Sequence, residues 1–146
     1  NHDAFLIDNW GKKSLPSRLR RFCKKNPDAK AWLESLPLFI QEEHLIIVHA
    51  GVHPTQGLDG TDRDMALRMR RYPPGDLDAP FWYDAGWQGP QTVVFGHDAM
   101  RGLVRREHNG KIVAIGLDSG CVYGKKLSGW IPQEDRIVSV DSHPAK

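Results

Sequence analysis

Three imidazoles and one side-chain amide stand out as groups able to do chemistry. His2 directly follows Asn1, His49 lies in His49-Ala50-Gly51, and His97 lies in Gly96-His97-Asp98. Imidazole nitrogen and amide oxygen suit borderline cations such as Mn²⁺, Fe²⁺ or Zn²⁺ better than Ca²⁺. The small neighbours Ala50, Gly51 and Gly96 are read as room for backbone and metal to approach each other. One histidine after a strand is more often a hydrogen-bonded structural residue. Two such strand-end positions and an Asn-His pair together shift the balance towards a hydrolytic metal site. Asp3 and Asp98 each follow a site histidine and are candidates to orient an imidazole or to coordinate through water, with turn formation as the competing use.

Cations come next. Arg68 and Arg70, in Ala66-Leu67-Arg68-Met69-Arg70-Arg71-Tyr72, carry guanidiniums that can fork onto a phosphate. Two residues apart, they cannot face the same way on a regular helix. One of them, with Arg70 preferred, is expected to reach substrate, and Arg71 is expected to face solvent. His53, four residues beyond His49, is a lesser candidate for substrate contact. Trp82 and Trp87 are read as core or lid packing ahead of nucleobase stacking. Asp118 is expected to shape a strand-to-turn junction, and His44, His108 and His143 are assigned no function.

These residues need elements to hold them. Asp3–Trp10, Leu15–Lys25 and Ala29–Ser35 have helical spacing, the second strongly basic and the third with Asp28 at its start. Leu38–Gln41 and Leu45–His49 read as a hairpin that delivers His49 to a strand end. Thr61–Tyr72 reads as a helix capped by Thr61, and Pro73–Pro90 as an irregular loop. Thr92–Phe95 is a short strand that ends at Gly96-His97. Leu103–Glu107 and Lys111–Leu117 flank His108-Asn109-Gly110, a strong hairpin signal. Leu127–Ile131 and Arg136–Val140 make a last hairpin, and the tail from Asp141 to Lys146 is expected to fray.

At 146 residues, with 40% apolar and 26% charged residues, the chain has the composition of one globular domain, 1–146, with 14 Gly and 10 Pro tilting it towards loops. The net charge of +2 does not by itself imply nucleic-acid binding. Seven cations between Lys12 and Lys25 are read as a solvated helix face, with steering of an anionic substrate as the alternative and an RNA-binding module as a third possibility. The longest aliphatic run, Leu45 to Val48, is far short of a membrane span, so no membrane partner is expected; the two cysteines are read by default as reduced thiols in a reducing compartment, and a cytoplasmic location is expected. Cys23 and Cys121 lack the close spacing of a redox or zinc pair.

Asn1-His2-Asp3, then His49-Ala50-Gly51 with Pro54, then Gly96-His97, then Leu117-Asp118-Ser119-Gly120-Cys121-Val122-Tyr123-Gly124 occur in the order found in calcineurin-like metallophosphoesterases. The resemblance covers essentially the whole chain. It is nearest to the phosphoprotein-phosphatase-type branch that contains the symmetrical diadenosine tetraphosphatases, the ApaH-like phosphatases. It implies an α/β fold, a two-sheet sandwich flanked by helices. It also implies two divalent metal ions (Mn, Fe or Zn), about 3.5–4 Å apart, bridged by an Asp and a hydroxide that attacks phosphorus. Asn1, His49 and His97 would be ligands of the second metal, and His2 would protonate the leaving oxygen while held cationic by an acidic partner. Tyr123 resembles a residue placed near the phosphate in the family.

The chain departs from the family at its start. Gly-Asp-x-His-Gly and Gly-Asp-x-x-Asp-Arg-Gly, which carry the first metal's ligands and the bridging carboxylate, do not occur before Asn1. The expectation is therefore the C-terminal portion of the domain, lacking the N-terminal strands and the first two metal motifs. It would retain at most one site's ligands, be inactive on its own and be prone to aggregate or bind a partner. Expected substrates are a phosphorylated small molecule, a nucleotide or a phosphoprotein. Dinucleoside polyphosphates are favoured, and capped RNA is the one form of nucleic acid compatible with the resemblance. The rival is a non-catalytic interaction or regulatory domain derived from the same fold.

Overall fold

The central strands of this protein are the segments whose apolar residues run without interruption. Leu45–Val48, Val93–Phe95 and Ile112–Ile115 are uninterrupted apolar runs, as in the central strands of parallel sheets, although Ile47 stays exposed. In the computed structural model, which describes residues 1–143, these become β2 (Leu45–Val48), β3 (Thr92–Phe95) and β5 (Lys111–Gly116). β1 (Phe39–Gln41) and β4 (Val104–His108) complete a five-stranded sheet of order β1-β2-β3-β5-β4. β2, β3 and β5 are parallel, and the two edge strands run antiparallel to their neighbours. A second sheet pairs β6 (Lys126–Ile131) with β7 (Arg136–Asp141). The α/β class and the two sheets match the reading of the sequence, with the second sheet reduced to a hairpin. β7 takes in Asp141, where the tail was expected to begin; residues 144–146 of that tail lie outside the described residues.

Two compact units make up the chain, Asn1–Pro37 and Leu38 onward. The first is helical: α1 (His2–Asp8), α2 (Ser17–Lys25) and α3 (Ala29–Ser35). α2 starts two residues later than its apolar spacing suggests. Leu15 precedes Pro16, whose ring disfavours helical backbone in the residue before it. Arg20 closes the turn into this helix by donating to the carbonyls of Lys13 and Leu15. Among the described residues, no helix is long and apolar enough to cross a membrane.

In the second unit, α4 (Arg63–Arg68) is half the predicted length, and its cap is Asp62, whose Oδ1 accepts from the Met65 N–H at 2.8 Å. Thr61 is occupied elsewhere, accepting from the His53 N–H and donating to the Gly57 carbonyl. The helix stops at Arg68 because the next residues pair with a distant segment. Arg70 C=O accepts from Trp82 N–H, Arg71 bridges Phe81, and Tyr72 N–H donates to Pro80 C=O. Tertiary pairing has overridden helix propensity here. The core lies between this segment and the sheet. Trp82, fully buried, meets Phe95 edge-on at 5.1 Å, and Tyr83 stacks on both Phe95 and Phe81. The β4–β5 turn has Asn109 and Gly110 both at positive φ, as an Asn-Gly hairpin requires.

Candidate active site

β2 and β3 are parallel neighbours in register, with Ile47 opposite Val94, so the residues that follow them leave the sheet at the same carboxyl edge. That edge is where ligands bind in open parallel sheets. Three hydrogen bonds fix the exit of β2. Gly96 N–H donates to His49 C=O at 3.0 Å, Ala50 N–H donates to Ala66 C=O at 2.9 Å, and the Trp82 indole N–H donates to Ala50 C=O at 3.1 Å. At the exit of β3, His97 has φ +69°, a left-handed conformation that histidine adopts more often than most residues but that still costs about 1–3 kcal/mol. Together these bring the two imidazoles side by side. Nδ1 of His97 lies 3.2 Å from Nε2 of His49, and the ring centroids are 5.0 Å apart.

Burial, and then the neighbouring Arg70 charge, push His97 below the usual imidazole range; a hydrogen bond with the Arg68 backbone and the Asp98 carboxylate act the other way. The neutral ring is thus favoured, the form that ligates a cation. Two nitrogens bound to one cation at about 2.0–2.1 Å, subtending an angle of about 90–109°, sit about 2.9–3.4 Å apart. The observed 3.2 Å, a hydrogen bond between the two rings as they stand, also falls in that window. Among the described residues, no group of three or more His, Cys, Asp and Glu is arranged to hold a metal ion.

Asp98 does not turn to an imidazole. Its carboxylate lies 3.6 Å from Arg70 Nε, so the aspartate holds the guanidinium beside His97. Arg70 is half-exposed and no longer helical, which removes the helical-face objection to its acting together with Arg68. Arg68, the last residue of α4, pairs with Asp64 one turn earlier. Tyr123 is exposed and is not a core residue. Asp118 accepts from the Gly120 N–H and shapes the turn after β5, as expected. Asn1 precedes the first turn of α1, with His2 and Asp3 as the helix's first two residues, both exposed.

Several residues have uses that spacing alone did not show. Gly51 is small because a Cβ there would lie 2.6 Å from Trp82 Nε1, so it makes room for an indole and not for a metal. At Gly96 a Cβ would meet only ordinary contacts, so that glycine is not required by space either. Arg71 is not a solvent-facing helix charge. It hydrogen-bonds the Ala79 carbonyl and lies over the Phe81 ring, whose centroid is 4.4 Å from Arg71 Cζ and equally from Arg101 Cζ. His53 is buried, its Nδ1 accepting from the Thr55 and Gln56 N–H groups and its Nε2 facing Tyr72 Oη at 2.8 Å, so it is a structural residue of its turn. Trp82 and Trp87 are both buried, which rules out base stacking and leaves packing. Ser119, in the Asp-Ser-Gly-Cys stretch, donates to Lys126 C=O and meets Ser128, and so ties the β6–β7 hairpin to the end of β5.

No protein-family model matches the chain. A protein of Methylobacillus flagellatus named symmetrical bis(5'-nucleosyl)-tetraphosphatase is 33% identical over 86 residues, covering 58% of this chain and 28% of that protein. One of the same name from Paraburkholderia phymatum is 47% identical over 49 residues, 32% of this chain and 16% of that protein. The chain's matched part thus spans less than a third of the length of these curated relatives. A crystal structure described as that of "a putative diadenosine tetraphosphatase" superposes with a TM-score of 0.74 at 32% identity, over 99% of this chain and 67% of the other. With the ordered His49, His97 and Asp-Ser-Gly-Cys motifs on a matching backbone, the chain belongs to the ApaH-like, symmetrical diadenosine-tetraphosphatase-like family of calcineurin-like phosphoesterases.

Proposed function

We propose that this chain carries part of the active site of a phosphoesterase that hydrolyses phosphate esters or phosphoanhydrides, with dinucleoside polyphosphates as the favoured substrates. The observation that supports this most is the 3.2 Å approach of His49 and His97 at the carboxyl edge of two parallel strands, with the Arg70 guanidinium held next to them by Asp98. The relatives' name, symmetrical bis(5'-nucleosyl)-tetraphosphatase, favours an anhydride over an ester. In this reading two divalent cations (Mn²⁺, Fe²⁺ or Zn²⁺) belong to the site, one of them held by His49 and His97, and when bound they supply Lewis-acid activation of water and phosphate. The other requires carboxylate donors beyond those grouped here, so the chain taken alone is expected to turn over poorly.

The remaining roles fall to the chain's own side chains. Arg70 forks onto non-bridging phosphate oxygens, a geometry a guanidinium provides and an ammonium does not. Arg68 adds positive charge from the end of α4, and exposed Tyr123 donates its hydroxyl proton to phosphate. His2 delivers a proton to the leaving oxygen as the P–O bond breaks.

The test uses the full-length protein that contains this sequence, assayed with Mn²⁺ on p-nitrophenyl phosphate, diadenosine tetraphosphate, polyphosphate and a phosphopeptide. Diadenosine tetraphosphate is expected to be the best substrate. His49→Ala should lose bound metal and rate together. His2→Ala should keep its metal and lose about 10²–10⁴-fold in kcat, the contribution typical of a general acid. Metal retained in His49→Ala, or an unchanged rate in His2→Ala, overturns the assignment.

A further inference from the structure

Phe81 sits where the two segments that frame the imidazole pair meet. One segment, residues 70–72, is drawn out beyond α4 and carries Arg70. The other is the turn that follows His97, closed by the Arg101 N–H donating to the Asp98 carbonyl at 2.9 Å. Arg71 bridges Phe81 through the backbone and hydrogen-bonds the Ala79 carbonyl. The Phe81 ring centroid lies 4.4 Å from Cζ of Arg71 and equally from Cζ of Arg101, so one ring holds a guanidinium from each segment. The ring is itself seated. It stacks on Tyr83 at 5.4 Å, and Tyr83 stacks on Phe95, the last residue of β3 and two positions before His97.

The Arg70–Asp98 pair also joins these segments, but a half-exposed pair at 3.6 Å fixes a side chain only loosely. A guanidinium over an aromatic face is attracted by the ring quadrupole even at an exposed site. Arg71 and Arg101 are like charges no farther apart than twice their distance to the ring, and the ring's attraction for both offsets their repulsion. We propose that Phe81 is the positioning residue of this site: by clamping Arg71 and Arg101 together it keeps Arg70 beside Asp98 and the imidazole pair, without touching substrate itself. The inference rests on the phosphoesterase reading, in which Arg70 contacts phosphate, and adds the residue that decides where Arg70 stands. Placement matters because a shift of about 1 Å in a substrate-orienting group costs up to about 10²-fold in rate.

The experiment compares Phe81→Leu with Phe81→Tyr in the full-length protein. Leucine keeps an apolar side chain and removes the π face, whereas tyrosine keeps the face. Phe81→Leu should raise KM for diadenosine tetraphosphate about fivefold, the scale of exposed cation–π contacts, with kcat held within about twofold, and Phe81→Tyr should restore KM. In ¹⁵N-labelled protein without substrate, the Arg70 Nε–H resonance should move in Phe81→Leu and stay in Phe81→Tyr. Arg101→Gln reads the same clamp from an exposed position whose change does not threaten folding, and it too should move that resonance and raise KM. The double variant Phe81→Leu/Arg101→Gln should raise KM no further, because both changes act through one ring. An Arg70 resonance that stays in place in either single variant overturns the clamp. So does an Arg101→Gln effect undiminished in the Phe81→Leu background, since Arg101 would then bind phosphate directly. The two proposals fail separately. A protein inert towards every phosphoanhydride, with an Arg70 resonance that still follows the Phe81 series, sinks the hydrolase reading alone. Active hydrolysis with KM and the Arg70 resonance both indifferent to Phe81 sinks the clamp alone.

Discussion

Gly51→Ala is the substitution whose cost follows most directly from the packing around His49. A Cβ at position 51 would fall 2.6 Å from Trp82 Nε1 and 2.7 Å from Cδ1, about 1 Å inside ordinary contact. The indole has nowhere to withdraw. It is fully buried, it lies 5.1 Å from Phe95 and 5.5 Å from Tyr83, and its N–H is committed to the Ala50 carbonyl. Overpacking of this kind costs about 1–3 kcal/mol, and displacing the indole from a buried carbonyl adds about 1 kcal/mol, so Gly51→Ala should destabilise by about 2–4 kcal/mol. In a Trp82→Leu background, itself destabilised by about 3 kcal/mol, the obstacle is gone. The same alanine should then be neutral or slightly stabilising, because Gly51 is not in the left-handed region. Urea unfolding followed by far-ultraviolet circular dichroism gives all four corners of the cycle. A coupling of at least about 1.5 kcal/mol is expected. Costs that add to within about 0.5 kcal/mol would refute the account, and would return Gly51 to the sequence-based reading in which it makes room for a metal.

Asp98→Asn removes the charge that holds Arg70, so in the full-length enzyme substrate KM should rise several-fold while metal content stays unchanged; lost metal would mean that Asp98 acts on His97 instead. Asp62→Ala should cost about 1 kcal/mol in urea unfolding by leaving the Met65 N–H uncapped, whereas Asp62→Asn should restore most of it. Arg105 hydrogen-bonds Asp135 and holds its carboxyl below the usual value of 3.8. The pair's contribution is therefore present above that value and lost as pH falls through the lowered one. Arg105→Gln should move the Asp135 titration, followed by carboxyl-carbon NMR, back up towards the ordinary range, and an unmoved titration would count against the pairing.

Much of the candidate site was readable from the chain alone. The strands that end at His49 and at Gly96-His97 are short apolar runs bounded by small residues, and Asn109-Gly110 specifies its turn because both positions need positive φ. Those signals act over a few residues, which is why they survive without knowledge of the fold. Helix α4 was misjudged for the opposite reason. Ala66 to Tyr72 has helical composition, yet residues 70–72 gain more by pairing with residues 80–82 and are drawn out as extended chain.

Residue order and composition thus determined the α/β class, the strand ends and the two imidazoles placed on them. Only the tertiary structure decided that β3 lies between β2 and β5, that Trp82 reaches across 32 positions to clamp Ala50, and that Asp98 serves Arg70 and not an imidazole. The physical reason is range. Backbone preference and hydrophobic period are settled among neighbours along the chain, whereas an indole's resting place and a carboxylate's partner are settled by which distant surfaces must be buried together.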